Sequence, residues 1–532
     1  MRPILRDVRT RGRDTHQRRS APAQGPARRL LRPLVGLLAI VALVAACGDD
    51  PDAAAVDAFA EDPDCFGIEL VELEEDEVRC GTVTVPLHHD DPDGETITLA
   101  VATLLDEDAS DEPVLVLGGG PGEVVVENAL SEPMIQQAYA LEGREVILLD
   151  QRGVGSSDPE LSCDAFDDQD LTEPSDPDEE RDRLLSCREE LVDRGVDLEA
   201  FDHVHNARDV DLVRRALGHD QVVLRGGSYG SHLALHAAAL APDGFAALVL
   251  SSPVDPTQNY LETMAGGFES ALDRLNEGCG QDEQCAEQLG DIHEVIAEVT
   301  DRLTDRPEEV TAEPLMGGEP ITRIFTGEVF LGSVFAAFYA ADGAFALVGM
   351  LAAAQEGDLE PLAGLVATIE EGLDDIPRGM YTSMVCSGEG ASYDAEVAAA
   401  GLTSPLLEER WFDQAGIGGR HTTELCELWD VEPTFDPAQL ELATEIPTLL
   451  VTGEVDHVTP PVLGQQLHDQ LTNSHLVAAR SLAHGPLEGL DALVAGCGST
   501  IITAFLDDPD REPNTICANQ IPPLDALGMF LP

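Results

Sequence analysis

Short apolar segments rich in Val, Ile and Leu recur along the chain and alternate with stretches of helical periodicity. The segments predicted as strands are residues 96–105, 113–117, 145–150, 221–225, 246–251, 447–453 and 474–480. Most are continuous apolar runs, which are typical of strands covered on both faces. Residues 207–217 and 229–241, which lie between strands, show helical spacing. This alternation predicts an α/β protein with a mostly parallel sheet and helices on both faces.

The alternation breaks between residues 255 and 444. This interval has helical segments, such as 262–275 and 334–354, but few convincing strands. Because the strand pattern resumes afterwards, we interpret the interval as an insertion between two sheet strands. Such an insertion would cover the carboxyl edge of the sheet, where ligands bind in open α/β sheets. The predicted division is therefore a core over 65–254, a largely helical cap over 255–444, and the rest of the core over 445–532.

The first 46 residues predict a signal peptide. An Arg-rich stretch is followed by the apolar run 34–46, which is too short to span a bilayer comfortably. The run ends in Leu43-Val44-Ala45-Ala46-Cys47, which resembles a bacterial lipobox and implies cleavage before Cys47 and a diacylglycerol on its thiol. A plain secretory peptide with an incidental Cys47 is the alternative. Residues 47–64 predict an acidic tether. The expected location is the outer face of the cell membrane, held by a lipid anchor only, or the medium.

Charge excludes one class of partner. The chain has 101 acidic and 30 basic residues, all the basic ones being Arg, and a net charge of −71. Such a surface repels phosphate backbones, so no nucleic-acid partner is expected. A solvated acidic coat suits a saline medium, and we prefer this interpretation to an acidic binding patch.

The eleven cysteines agree with export. A lipidated Cys47 leaves ten, which is an even number, and short loops are easy to close. We therefore predict disulfides between sequential partners. The pairs are Cys65–Cys80, Cys163–Cys187, Cys279–Cys285, Cys386–Cys426 and Cys497–Cys517. The spacings match no zinc site, so no metal is predicted. Free buried thiols are the alternative.

A candidate nucleophile lies in Gly226-Gly227-Ser228-Tyr229-Gly230, between a predicted strand and a predicted helix. A sharp strand-to-helix turn of this kind needs glycine neighbours and exposes the serine hydroxyl at the helix N-terminus. The exposed N–H groups and the helix dipole there favour developing negative charge. A glycine-rich turn without chemistry is the alternative.

A serine nucleophile needs a base and an orienting carboxylate, which in this arrangement follow in the order acid, then His. Asp456 follows the predicted strand 447–453, and His484 follows the predicted strand 474–480. Both candidates are therefore expected at the same sheet edge as Ser228. Glu454 is the alternative acid and His457 the alternative base.

Attack on a carbonyl also requires two amide donors for the oxyanion. The first should be the amide of Tyr229. The second is assigned to Gly120, in the loop Gly118-Gly119-Gly120-Pro121-Gly122 that follows strand 113–117. No GK[ST] follows this loop, which argues against a phosphate-binding P-loop.

Five motifs in this order resemble the proline iminopeptidase and tripeptidyl aminopeptidase family. They are Gly119-Gly120-Pro121-Gly122, Asp150-Gln151-Arg152-Gly153-Val154-Gly155-Ser156-Ser157, Gly226-Gly227-Ser228-Tyr229-Gly230, Gly453-x-x-Asp456-x-x-Thr459-Pro460 and His484-Gly485. The resemblance spans about residues 65–520 and implies an α/β-hydrolase fold. It implies a secreted or lipid-anchored serine exopeptidase that acts on peptides with a free N-terminus, without a cofactor. The stretches 385–389 and 497–517 resemble the tripeptidyl aminopeptidase branch.

Two positions depart from the family pattern. Gly118 stands where many relatives have His, and Cys386-Ser387-Gly388-Glu389 replaces a Cys-x-Glu-Asp pattern. An exopeptidase needs a carboxylate to pair with the substrate ammonium, and Glu389 is the candidate. Asp150 and Arg152 are expected to form a structural ion pair that anchors their loop, in preference to contacting substrate.

Two other functions compete with the exopeptidase. A carboxylesterase would use the same Ser228, Asp456 and His484 on small esters, without a charged anchor in the cap. A catalytically silent lipoprotein would bind a partner at the cell surface. A Ser nucleophile argues against haloalkane dehalogenases and epoxide hydrolases, which use Asp. A monomer is expected.

Overall fold

The structure is a computed structural model that describes residues 59–531, apart from 72, 74–76, 107–108, 110–111, 142, 167–170, 174–176, 316, 341, 375, 414–416 and 435–436. The predicted signal peptide, the lipidation site Cys47 and most of the tether lie outside the described residues. Within the described ranges, each helix is too short or too polar to cross a membrane.

Nine strands form one sheet, in the order β1-β2-β3-β5-β4-β6-β7-β10-β11. The strands are β1 Ala60–Glu61, β2 Val78–Pro86, β3 Thr96–Leu104, β4 Val114–Leu117, β5 Val146–Leu149, β6 Val222–Gly227, β7 Phe245–Ser251, β10 Thr448–Gly453 and β11 Ser474–Ala479, and β8 Glu308–Ala312 and β9 Ile321–Phe325 form a separate hairpin. The pairs β1–β2, β2–β3 and β3–β5 are antiparallel, and all pairs from β5 onward are parallel. The predicted α/β fold with a mostly parallel sheet is confirmed.

All seven predicted strands are present, with ends displaced by at most two residues. The sequence did not predict β1, β2, β8 and β9. In β2 the glycine at position 81 weakens the strand pattern. A Cβ on Gly81 would overlap the Ala60 carbonyl oxygen, so glycine is what lets β1 pair with β2.

The helices surround the sheet and form most of the insertion between β7 and β10. They are α1 Val126–Ser131, α2 Pro133–Tyr139, α3 Pro177–Asp193, α4 His203–Ala216, α5 Tyr229–Leu240, α6 Leu261–Gln281, α7 Glu283–Gln288, α8 Ile292–Asp305, α9 Gly327–Ala337, α10 Gly343–Glu356, α11 Glu360–Asp374, α12 Arg378–Ser387, α13 Ala395–Ala399, α14 Pro405–Leu407, α15 Thr422–Trp429, α16 Pro461–Gln470, α17 Pro486–Leu493 and α18 Cys497–Asp507. Helices α6 to α15 and the β8–β9 hairpin make up the insertion.

The prediction of one continuous helical segment over 334–354 was wrong. Helix α9 ends at Ala337, and α10 begins at Gly343. A Cβ on Gly343 would overlap the Ala337 carbonyl oxygen, so the chain reverses too tightly for any other residue. The apolar periodicity continues across this reversal because both helices face the same core.

Five disulfides join the ten described cysteines in the sequential pairs given above, from Cys65–Cys80 to Cys497–Cys517. Their Cα–Cα distances run from 5.0 to 5.7 Å, within the usual range for disulfides. Cys386–Cys426 connects α12 to α15 within the insertion.

Candidate active site

Ser228 lies between the end of β6 and the start of α5, in a backbone conformation that L-residues rarely adopt. Its φ is 52° and its ψ is −125°. The Ser228 amide donates to the Ser251 carbonyl oxygen at the end of β7, at 2.9 Å. The strained turn presents the side chain at the N-terminus of α5, as the sequence predicted for a nucleophile elbow.

The glycines around Ser228 are required by close backbone approach. A Cβ on Gly226 would overlap the Gly230 carbonyl oxygen, and a Cβ on Gly230 would overlap the Leu117 carbonyl oxygen. By contrast, the nearest atom to a Cβ on Gly227 is Ser251 Cβ at 4.0 Å. The two outer glycines of the motif therefore let α5 pack against the ends of β4 and β6.

His484 and Asp456 form the expected pair at the ends of β11 and β10. His484 Nδ1 lies 3.0 Å from Asp456 Oδ1 and 3.1 Å from Oδ2. The carboxylate also accepts hydrogen bonds from the Val458 and Thr459 amides and from the hydroxyls of Ser252 and Thr459. Burial alone would raise the pKa of Asp456, but His484 and these hydrogen bonds lower it to about 2.

The alternative residues do not join this pair. His457 points into an aromatic cluster, with ring centroids 4.4 Å from Phe335 and 4.7 Å from Tyr339. Among the described residues, no hydrogen-bond partner reaches either ring nitrogen of His457, and burial lowers its pKa to about 3. Glu454 accepts a hydrogen bond from the Ser481 amide instead. Asp456 and His484 are therefore the acid and base candidates that the geometry favours.

The glycine loop after β4 passes directly beside the nucleophile. A Cβ on Gly119 would lie 3.4 Å from Ser228 Cβ. Gly120 has a φ of 96°, which favours glycine, and no acceptor among the described residues binds its amide. The Tyr229 amide is in the first turn of α5, where helix amides lack intrahelical partners. Within the part of the chain that the structure describes, both predicted oxyanion donors therefore lack an acceptor beside Ser228.

Ser228, Tyr229, Gly120 and His484 line one cavity of about 490 Å³. The β7–β10 insertion supplies the opposite wall. Its lining side chains are Tyr260, Met264, Tyr339, Ile376, Arg378 and Tyr381. The Tyr339 ring lies edge-on to the His484 imidazole at a centroid distance of 5.4 Å. The insertion thus lines one side of the cavity, mainly with apolar and aromatic residues and also with Arg378.

Two carboxylates that sequence reasoning missed also line this cavity. Glu123 accepts a hydrogen bond from the Gly119 amide, and burial raises its pKa. Glu488 lies one turn after His484 and contacts Arg225 and Ser251, each at 3.2 Å. Their positions in the sequence, Glu123 directly after the glycine loop and Glu488 shortly after His484, could have indicated that they lie near the candidate active site.

Glu389 does not line the cavity. Its side chain is fully buried, with Oε2 3.0 Å from His203 Nε2 and Oε1 3.0 Å from His232 Nε2. Burial alone would raise the pKa of Glu389, but the two imidazoles lower it well below its usual value. The structure therefore places this carboxylate away from the cavity predicted to receive a substrate ammonium.

Glu389, His203 and His232 are also the one group with metal-ligand geometry in the described part of the chain, since their ligand atoms lie within 4.8 Å of one another. An ionised Glu389 accounts for the His203 contact without a metal, because it accepts the Nε2–H of that imidazole, while its other oxygen lies 3.0 Å from His232 Nε2. The contact between Glu389 and His203 is therefore explained by hydrogen bonding.

Asp150 and Arg152 anchor their loop, but not by pairing with each other. Asp150 accepts hydrogen bonds from the Val125, Val126 and Ser156 amides. Arg152 binds Asp209 through two nitrogens, at 2.7 and 2.8 Å. Neither residue is among those that line the cavity. The expected ion pair is thus replaced by separate buried partners with the same anchoring effect.

Comparison with known proteins agrees with this fold. Residues 112–285 match the family described as alpha/beta hydrolase fold, and residues 415–517 match the family described as TAP-like protein. The serine protease Hip1 of Mycobacterium tuberculosis is 26% identical over 436 residues, which cover 75% of this chain and 80% of Hip1. The tripeptidyl aminopeptidase of Streptomyces lividans is 25% identical over 471 residues, 81% of each chain. Carboxylesterase B of M. tuberculosis is 26% identical over 422 residues, 74% of this chain and 78% of that protein.

The mostly parallel sheet and the two domain matches show that the chain has the α/β-hydrolase fold. Its C-terminal segment, residues 415–517, matches the TAP-like family, and tripeptidyl aminopeptidases are among its relatives. It is a serine hydrolase with peptidases among its relatives.

Proposed function

We propose that the protein is a serine exopeptidase that cleaves peptides near a free N-terminus. The observation that carries the proposal is the shared cavity of Ser228 and His484, with His484 bound to Asp456 and a wall supplied by the insertion. A wall beside the nucleophile limits how much chain can extend past the cleaved bond. The aminopeptidase relative supports the same choice.

In this mechanism, Ser228 Oγ attacks the scissile carbonyl while His484 accepts its proton. The amides of Gly120 and Tyr229 bind the oxyanion as the tetrahedral intermediate forms. His484 then protonates the leaving amine, and water hydrolyses the acyl-enzyme by the reverse sequence of proton transfers. Asp456 holds the imidazole tautomer and stabilises the imidazolium.

The carboxylates placed to meet a substrate ammonium are Glu123 and Glu488, since both line the cavity. Glu389, the sequence-based candidate, is already bound by two imidazoles outside the cavity. A cavity carboxylate that loses its ammonium partner would remain partly desolvated, so blocked peptides should bind less tightly.

The assay that tests this compares a peptide amide with a free N-terminus and its N-acetylated form. We expect kcat/KM to be at least about tenfold higher for the free peptide, and Glu488→Gln to reduce that ratio by raising KM. Ser228→Ala is the inactive control. Equal rates on both peptides would overturn the exopeptidase proposal.

Carboxylesterase B among the relatives favours an esterase as the second candidate. The same triad would hydrolyse small esters without using a cavity carboxylate. A kcat/KM for short-chain esters far above that for any free peptide, unchanged in Glu488→Gln, would support the esterase in place of the peptidase.

We further propose that the protein is exported and anchored by a lipid on Cys47, and acts as a monomer. The five disulfides support an oxidising compartment. An intact mass that begins at Cys47 and carries a diacylglycerol would support the anchor, and an unmodified Cys47 would contradict it.

A further inference from the structure

A continuous chain of buried polar side chains links the two segments that carry the predicted oxyanion donors. We call Gln151, Asn206, Tyr229, His203 and Glu389 the buried polar chain. Each of these five side chains is less than 3% exposed. Buried polar groups destabilise a fold unless they are hydrogen-bonded, and the hydrogen bonds of these five side chains connect them to one another.

The first half of the buried polar chain reaches the glycine loop. Gln151 Nε2 donates to the Gly118 carbonyl oxygen at 2.8 Å, and Asn206 Nδ2 donates to Gln151 Oε1 at 2.7 Å. The Gly118 carbonyl is two residues before the Gly120 amide. Residues 118–120 are glycines, so side-chain packing cannot fix the position of this loop. The hydrogen bond from Gln151 contributes to fixing it instead.

The second half reaches the elbow and the insertion. Asn206 Nδ2 also donates to the Tyr229 hydroxyl at 3.3 Å, and that hydroxyl lies 3.2 Å from His203 Nδ1. His203 Nε2 lies 3.0 Å from Glu389 Oε2. Tyr229 supplies the other oxyanion amide, so one polar chain touches both donor segments.

The proton assignments along the chain are mutually consistent. An ionised Glu389 accepts the Nε2–H of His203, which leaves His203 Nδ1 to accept the proton of the Tyr229 hydroxyl. The Tyr229 oxygen then accepts one N–H of Asn206 Nδ2, the other N–H donates to Gln151 Oε1, and Gln151 Nε2 donates to the Gly118 carbonyl oxygen. Each bond therefore has one donor and one acceptor: from Asn206 toward Glu389 the donors point to the carboxylate, and from Asn206 toward Gly118 they point to the glycine loop.

We propose that the buried polar chain sets the relative position of the Gly120 and Tyr229 amides, with Gln151 and Glu389 as positioning residues at its two ends. The inference rests on the proposed function, because it assumes that these amides bind the oxyanion. An error of about 1 Å in such a site can lower the rate by about a hundredfold.

The experiment interrupts the hydrogen bonds of the buried polar chain at separate points by substitution. The variants are Tyr229→Phe, Gln151→Leu and Glu389→Gln, together with the double variant Tyr229→Phe/Gln151→Leu. We expect each single change to slow the reaction of Ser228 with a fluorophosphonate by about tenfold, while KM for a substrate changes by less than about twofold. The double variant should be no slower than the slower single variant, because both changes interrupt the same chain.

A second readout is specific to the oxyanion. A peptide boronic acid forms a tetrahedral adduct on Ser228, so its inhibition constant should rise by about the same factor as kcat/KM falls, whereas that of a product peptide should not change. Glu269→Gln is the matched control. Glu269 is a buried carboxylate of the insertion whose hydrogen bonds go to Thr403, and its loss should lower the unfolding temperature without changing these constants.

The outcomes separate this inference from the proposed function. Wild-type reaction rates in Tyr229→Phe and Gln151→Leu, or rate losses that simply multiply in the double variant, would overturn the inference. A wild-type protein that reacts with the fluorophosphonate but treats free and acetylated peptides equally would overturn the exopeptidase proposal alone.

Discussion

The backbone of Ser228 adopts a conformation that is unfavourable for a serine residue. A left-handed φ on a serine costs of order 1–3 kcal/mol and persists only where the surroundings hold it. Here the Ser228 amide is bound by Ser251, and the following residue is fixed by the side-chain contacts of Tyr229. The glycines on either side contribute by letting three backbone segments approach closely.

Two of these glycines should respond very differently to a methyl group. Gly230→Ala places a Cβ against the Leu117 carbonyl oxygen, so α5 must move, and we expect a large drop in the unfolding temperature and loss of fluorophosphonate labelling. Gly227→Ala meets nothing closer than 4.0 Å and should unfold within a few degrees of the wild type. Thermal unfolding followed by circular dichroism measures both, and equal temperatures for the two variants would contradict the packing argument.

The sheet brings the candidate active-site residues together in one way: Ser228, Asp456, His484 and the glycine loop all follow carboxyl ends of parallel strands. This made the triad candidates and the oxyanion loop predictable, because strand runs and the residues just after them can be read from sequence. The reversal between α9 and α10 was missed since apolar spacing continues through it.

The orientation of carboxylates could not be predicted in the same way. Glu389 follows Cys386 in the stretch that resembles the family pattern, yet its side chain contacts two buried imidazoles. Glu123 and Glu488, by contrast, line the cavity. Which partner a carboxylate meets depends on contacts between residues far apart in sequence. The links of Gln151 to Asn206 and of Asn206 to Tyr229 are of the same kind.

The disulfide between α12 and α15 should stabilise the fold more than the one between α6 and α7. Cys386 and Cys426 are separated by 40 residues, and Cys279 and Cys285 by 6. In the chain-entropy account, the longer loop contributes about 4 kcal/mol and the shorter about 2 kcal/mol. Replacing each pair by Ala and measuring urea unfolding should show the larger loss for Cys386/Cys426, and the reverse order would contradict this account.

Across the protein as a whole, lowering the pH protonates two sets of groups that have opposite effects on the stability of the fold. With a net charge of −71, protonating exposed carboxylates relieves repulsion and favours the folded state. Buried neutral histidines destabilise the folded state as the pH falls, because these side chains bind protons in the unfolded chain but not in the folded chain. His457 is one such group, with a pKa lowered by burial to about 3.

The sign of the His457 contribution follows from that shift. Its stabilising effect is complete above its unfolded pKa of 6.5 and is lost progressively as pH falls from there toward 3, with a limiting slope of about 1.4 kcal/mol per pH unit. His457→Phe, which suits the surrounding aromatic rings, should therefore lose less stability than the wild type between pH 6 and pH 4. Urea unfolding across this range measures the difference, and parallel curves would contradict the prediction.

The entry and exit of the β7–β10 insertion have a consequence for the evolution of specificity. Since β7 and β10 are parallel hydrogen-bonded neighbours, the chain leaves the sheet at the carboxyl end of β7 and returns to it at the amino end of the adjacent strand β10. An insert of different length or composition can be joined at these same two points without altering strand register. Selectivity can thus diverge between homologues through replacement of this insertion, while the strand ends that carry Ser228, Asp456 and His484 keep their places.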